Sequence, residues 1–272
     1  MASSTTWLPR FAEALGRPQQ VEPLGGHAWR VVVDGGELVA KVGPGVHDEA
    51  EGLASLAAVA DGPLVPDVVH LDGDLLVTRW VEQGPRSPIH DQHLGQSLAA
   101  LHAGPWPRWG GGSTWIGDCR VDPAPAPDAA AFYRARLVAL AGRCQLRDPV
   151  ERVAARLDEL IAPGPPALVH GDLWWGNVLW GADGRAWLID PSVHGGHPEE
   201  DLAMLALFGP MPDHLIGAYQ ERAGLAAGWE ERAPLFQLYP LLVHAVLFGG
   251  GYRDQAAVVA RRFGGDPRPV DG

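Results

Sequence analysis

Cysteine is almost missing from this 272-residue chain: Cys119 and Cys144 are the only two, and they do not stand at metal-ligand spacing. A zinc ribbon and a disulfide framework are thereby excluded, and two inert thiols are expected. Basic residues are also in deficit, with 21 Lys and Arg against 33 Asp and Glu and a net charge of -12. General affinity for nucleic acid or for an anionic membrane needs a basic surface, so neither partner is expected. Long apolar runs are lacking as well. The most apolar late stretch, residues 235–251, is interrupted by Tyr239, Pro240 and His244 and is too short to span a bilayer. Residues 1–16 suggest a short amphipathic helix without the basic start and apolar core of a signal peptide, so a cytoplasmic location is expected. No internal period suggests a solenoid, and nothing in the pattern specifies an oligomeric state.

What is there is ordinary globular composition, 46% hydrophobic and 20% charged, with 35 Gly and 25 Pro punctuating short elements. The first part of the chain predicts strands around one helix. Strands are expected over residues 20–24, 29–33 and 37–42, with a hairpin turn at Asp34-Gly35-Gly36. A helix follows over residues 48–60, with Leu53, Leu56 and Ala57 on its apolar face, and then a hairpin over residues 68–71 and 75–80. Linker composition at residues 82–88 divides the chain into residues 1–82 and 83–272. Beyond it, helices are expected over residues 89–103, 129–141 and 150–161, with a long loop at 104–128. Short strands at 167–169 and 186–189 flank a polar, aromatic segment. The fold class is α+β: a small β-rich lobe, a linker, and a larger helical lobe, with a nucleotide cleft between them.

That polar segment carries the chemistry. In His170-Gly171-Asp172-Leu173-Trp174-Trp175-Gly176-Asn177, Asp172 and Asn177 are spaced as in the H-R-D-x-x-x-x-N loop of protein kinases, with Gly171 in place of Arg. Asp190 closes the next apolar strand, and a hairpin through residues 179–190 would fold it back beside Asn177. Phosphoryl transfer asks a protein mainly to position groups and neutralise charge. Asp172 is the candidate base, Asn177 and Asp190 are hard oxygen ligands for Mg2+, and His170 supports the loop. Lys41 on the third strand and Glu49 on the next helix match the pair that holds ATP phosphates, with Glu51 a competitor for the second place. Gly25-Gly26 would lie over those phosphates. Residues 35–42 miss a Walker A loop because Ala40 and Val42 stand where Gly and Ser or Thr are needed. H-E-x-x-H and G-x-S-x-G are absent, so zinc-protease and α/β-hydrolase chemistry is excluded. The eleven tryptophans are expected mostly in the core, with Trp174, inside the loop, the exception.

Residues 168–177 with Leu188-Ile189-Asp190-Pro191 closely resemble the fructosamine kinase (ketosamine 3-kinase) family, a branch of the aminoglycoside phosphotransferase-like kinases. Further matches lie at Glu49-Ala50-Glu51-Gly52-Leu53, Trp115-Ile116-Gly117, Asp201-Leu202-Ala203-Met204-Leu205 and Leu247-Phe248-Gly249. The resemblance implies a kinase for the 3-hydroxyl of a ketoamine, using ATP and Mg2+. It implies Trp174 as a platform stacking on the sugar and Arg79, Trp80, Val81 and Glu82 as the hinge where adenine meets backbone. The chain departs from the family at His27, Cys119, His194-Gly195 and Pro198. These changes fall where substrate contacts are expected, which makes His194 a candidate substrate contact. Two other readings stay open: a phosphotransferase for an aminoglycoside or another hydroxylated amine, and a non-catalytic nucleotide-binding module.

Overall fold

The computed structural model describes residues 5–265 except 105, 123 and 162, so the first four residues of the expected N-terminal helix lie outside the described residues. The chain begins with α1 (Leu8–Leu15), then β1 (Gln20–Gly25), β2 (Ala28–Val33), β3 (Gly36–Val42), α2 (Val46–Ala57), β4 (Val68–Asp72) and β5 (Leu75–Arg79). The five strands form one antiparallel sheet in the order β1-β2-β3-β5-β4.

Strand alternation decides what this sheet shows to each side. Leu38 and Ala40 of β3, with Leu75 and Val77 of β5, join Trp29 and Val31 under α1. There Trp7 and Phe11 are fully buried, and the Trp7 ring lies 5.2 Å from that of Trp29. Val39 and Lys41, one residue out of phase, face the opposite side and line a cavity. On that side Leu76 meets Val46 and Ala50 of α2. Leu53 and Leu56 are buried as the periodicity requires, whereas Ala57, at the end of α2, is exposed.

After Arg79 the chain crosses to helices: α3 (Pro88–Ala103), β6 (Trp115–Ile116), β7 (Cys119–Arg120), α4 (Ala129–Ala141), α5 (Arg147–Ala154) and α6 (Leu157–Leu160). Then come β8 (Ala167–Val169), β9 (Val178–Trp180), β10 (Ala186–Leu188), β11 (His194–Gly196), α7 (Glu199–Leu207), α8 (Asp213–Arg222), α9 (Trp229–Phe248) and α10 (Gly251–Phe263). Ser87 begins α3 with a capping box in which His90 replaces the usual acid, and Pro88 fits the first turn. Leu94, Leu98 and Leu101 bury one face of α3. Leu98→Ala should cost about 2–5 kcal/mol by leaving a cavity in this layer, measurable as a lower denaturation midpoint at unchanged slope.

Two expectations differ here. The helix foreseen over 150–161 is two short ones, because the backbone leaves helical geometry at Arg156 (φ -110, ψ 2) and turns Leu157 fully into the core. The loop foreseen over 104–128 contains the β6–β7 hairpin, which Asp48 ties to α2: its Oδ2 accepts from the N–H and the hydroxyl of Thr114, both at 2.7 Å. Among the tryptophans only Trp7, Trp29 and Trp109 are buried, and the rest keep an edge accessible, as an indole of that size commonly does.

Candidate active site

Two antiparallel pairs assemble the centre. In β9–β10 Leu188 stands opposite Val178, and the N–H of Ile189 then donates to the carbonyl of Asn177 at 3.1 Å, which brings Asp190 beside Asn177. In β8–β11 Val169 stands opposite His194, just before the loop that carries Asp172. His170 is buried and joins the two pairs. Its Nε2 donates to the carbonyl of Ile189 at 3.0 Å, and its Nδ1 accepts from the N–H of Asp172 at 3.3 Å. Burial keeps this imidazole below its ordinary pKa, as suits a ring fixed by one donated and one accepted bond.

Lys41 comes up from β3 with 23% of its side chain exposed. Its ammonium donates to both oxygens of Glu49, at 3.0 and 2.9 Å, and to Asp190 Oδ1. Glu51, the competing partner, is exposed on another face of α2. Burial alone would lower the Lys41 pKa, but the carboxylates of Asp190 and Glu49 outweigh it and raise it. Glu49 is pushed up to about 7, by burial first and with Asp190 adding to it, because two carboxylates share one cation. Asp172 is likewise raised to about 7, by burial and then by the nearby charge of Asp190.

Asn177 ends a single 3-10 turn, Trp175–Asn177, and donates from Nδ2 to the carbonyl of Asp172 at 2.8 Å and to its carboxylate at 3.2 Å. Among the described residues no hydrogen bond occupies its Oδ1. Asp190 sits at φ 56, a left-handed conformation that a non-glycine residue rarely holds without cause. The donor set fits magnesium. Two hard oxygens from Asn177 and Asp190 are what Mg2+ takes from a protein when phosphates and water fill its other positions. Among the described residues no cluster of three or more His, Cys, Asp or Glu could hold a metal ion.

Two cavities meet at Lys41, Glu49 and Asp190. One, of about 280 Å3, is lined by Val39, Thr78, Arg79, Trp80, Val81 and Ile189. The other, of about 400 Å3, contains Asp172, Trp174 and Asn177, with Trp115, His244 and Phe248 among its walls. Gly25 (φ 109) ends β1 and Gly26 (φ 57) opens the turn to β2, one lining each cavity, and their positive φ is what demands glycine there. Of the four expected hinge residues, Glu82 lies outside the 280 Å3 cavity and gives its carbonyl to the N–H of Ala182 at 2.8 Å. The N–H of Trp80 is taken by the carbonyl of Glu37 at 3.1 Å. Val81 is left, among the described residues, with both backbone groups free of protein partners.

Residues 40–263 match the family described as fructosamine kinase. The chain belongs to the fructosamine kinase family. A Thermobifida fusca protein solved as a candidate fructosamine-3-kinase superposes with a TM-score of 0.85 at 38% identity, over 95% of this chain and 98% of that one. A candidate ketoamine kinase of Lactiplantibacillus plantarum is 32% identical over 93% of this chain and 96% of its own length. The choline kinase LicA of Streptococcus pneumoniae shares the kinase-like fold alone, with a TM-score of 0.64 at 15% identity over 94% of this chain and 96% of that one. As a fructosamine kinase family member the protein is an ATP-dependent phosphotransferase. No helix among its described residues is long and apolar enough to cross a membrane.

Set within that family, two placements bear on the sequence reading. His194 is not at the cleft surface: it is 3% exposed behind the catalytic loop and lines neither cavity. A three-residue strand in which two residues are glycine gives no phase from which to tell inward from outward. Asp201, at the start of α7, carries more of the site than its sequence suggested. It accepts from the N–H groups of His170 at 2.8 Å and Gly171 at 3.0 Å, and from His102 Nε2 at 3.1 Å. The Nδ1 of His102 in turn accepts from the Tyr219 hydroxyl at 2.9 Å. Burial alone would raise the Asp201 pKa; the His102 bond and the backbone donors hold it below its ordinary value. A fully buried acid is the detectable sign of such a role, but burial is a tertiary fact that the sequence did not supply.

Proposed function

We propose that this fructosamine kinase family member transfers the γ-phosphoryl group of ATP to the 3-hydroxyl of a ketoamine, the sugar adduct of a glycated amine. The observation that carries this is the junction of the two cavities, where Asp172, Asn177, Asp190 and Lys41 converge between the hinge and an aromatic-walled chamber. Adenine fits the 280 Å3 cavity, with Val81 supplying backbone groups. The phosphates lie under Gly25-Gly26 and against Lys41, which Glu49 holds in place. Asn177 and Asp190 hold Mg2+, which neutralises phosphate charge when bound. Asp172 accepts the proton of the acceptor hydroxyl as its oxygen bonds to phosphorus and the bond to ADP breaks. Trp174, 40% exposed beside Asp172, offers its indole face to the sugar.

The acceptor chamber supports a cationic substrate. Beyond the Lys41–Glu49–Asp190 cluster, its lining includes the carboxylates of Asp118 and Asp172 and no arginine. A ketoamine carries a protonated secondary amine close to its 3-hydroxyl, whereas a phosphorylated acceptor would be repelled here. The test is ADP release with Mg-ATP on a fructosyl-lysine, a ribulosyl-lysine, an aminoglycoside and choline. Turnover of the ketoamines supports the assignment and ranks the sugars. Turnover of only the aminoglycoside or choline would move the acceptor while keeping the reaction type.

A pH profile tests the base. Because burial and Asp190 raise Asp172 to about 7, its ionised, proton-accepting form is lost as pH falls through that value. Below it, kcat/KM is expected to fall about tenfold per pH unit, whereas an acid limb near pH 4 would show that the carboxylate keeps its ordinary pKa.

A further inference from the structure

Behind the catalytic loop lies a buried polar cluster that the phosphoryl-transfer step does not itself use. It joins Tyr133 and Arg136 of α4, His194 of β11 and Glu200 of α7, all nearly closed to solvent. The imidazole Nδ1 of His194 donates to the carbonyl of Ser192 at 2.9 Å. Its Nε2 accepts from Arg136 Nη1 at 2.8 Å. The same Arg136 nitrogen donates to Glu200 Oε1 at 3.2 Å, and the Tyr133 hydroxyl donates to Glu200 Oε2 at 2.7 Å. The guanidinium also lies 3.7 Å from the centre of the Tyr239 ring. Burial would raise Glu200, but the charge of Arg136 and the bond from the Tyr133 hydroxyl hold it low, so the anchor stays charged.

What this cluster holds is the junction of two functional segments. Ser192 lies two residues after Asp190, and its N–H donates to the carbonyl of His170 at 2.8 Å. Gly171, the residue before Asp172, is at φ 79, and a Cβ there would stand 2.1 Å from the Ser192 carbonyl oxygen and 2.8 Å from the His194 ring. The imidazole and the Ser192 carbonyl therefore occupy the space that a side chain at position 171 would take. Protein kinases carry an arginine at that point of the loop; here the support comes from a different strand.

We propose that His194, anchored by Arg136 and Glu200, is a positioning residue that fixes Gly171-Asp172 against the Asp190–Ser192 segment. The proposal rests on the assignment of Asp172 as base and goes beyond it by naming what aims that carboxylate. His194→Ala should lower kcat about 10²-fold, the order expected when a reacting group is displaced by about 1 Å, with KM for ATP changed less than about twofold. His194→Asn retains an N–H near the place of Nδ1 and should return kcat to within about fivefold of wild type, whereas His194→Phe keeps the ring volume without the bonds and should not.

Rates are taken per ATP-binding site, so that partial unfolding does not pass for misalignment. The acceptor is whichever one the wild-type enzyme uses, or water if none is found. Failure of ketoamines as substrates would thus overturn the acceptor assignment and leave this measurement intact. The proposal is overturned if His194→Ala keeps kcat within about threefold, or if Phe restores it as well as Asn does. Should His194→Ala not fold, Glu200→Gln loosens the anchor at constant volume and is expected to lower kcat about tenfold at unchanged KM for ATP. Full activity in Glu200→Gln would then overturn the proposal.

Discussion

Replacing Asp172 with asparagine is expected to lower turnover by about 10²–10⁴-fold while Mg-ATP still binds nearly as well as to the wild type. The amide keeps the shape of the carboxylate but cannot take a proton, and Asp172 makes no contact with Lys41 or the hinge that its loss would break. A second consequence follows from the raised pKa. Between its unfolded pKa near 4 and its folded value of about 7, the folded state binds more protons at this site than the unfolded one. Asp172 therefore makes stability fall as pH rises through that window, and asparagine removes the penalty. Without nucleotide, Asp172→Asn should melt at a higher temperature than wild type at pH 8 and show little difference at pH 4. Full activity in the variant would remove Asp172 from the proton transfer, and a lower melting point at pH 8 would contradict the buried, crowded carboxylate.

Lys41→Met should lower kcat/KM for ATP by about 10²–10³-fold, the usual cost of removing one fixed donor from a transferring phosphoryl group. The substitution keeps the apolar stem but leaves Glu49 and Asp190 facing one another without a cation. Lys41→Arg should not restore activity, because a planar guanidinium cannot replace a compact ammonium held by Glu49 and Asp190. Lys41 is the only lysine in the chain, so no second lysine can take over its contacts. A value of kcat/KM for ATP within about threefold of wild type would show that the phosphates are held elsewhere.

The spacing of Asp172, Asn177 and Asp190 was legible because a loop and a tight hairpin fix it locally. Lys41 and Glu49 could be paired because strand alternation and the next helix set their phase. Composition held a sharper sign that the motifs alone did not use: Asn177 is the only asparagine, as Lys41 is the only lysine, in a chain that otherwise uses arginine for its strongly basic positions. The support behind the loop was not legible. His102 meets Asp201 across 99 positions and Tyr219 across 117, and each of these buried pairs depends on how whole helices pack. His194 departs from the family pattern in the sequence, but its bond to Arg136, 58 positions away, depends on how α4 packs behind the loop.

The carboxylate pair around Lys41 also bears on the protein's own chemical durability. A sugar aldehyde adds to an amine only while that amine is unprotonated. The single lysine amine of this chain is kept protonated by Asp190 and Glu49 and is partly screened from solvent. An enzyme proposed to act on glycated amines thus presents reducing sugars with one lysine target, and that one is held in its unreactive form.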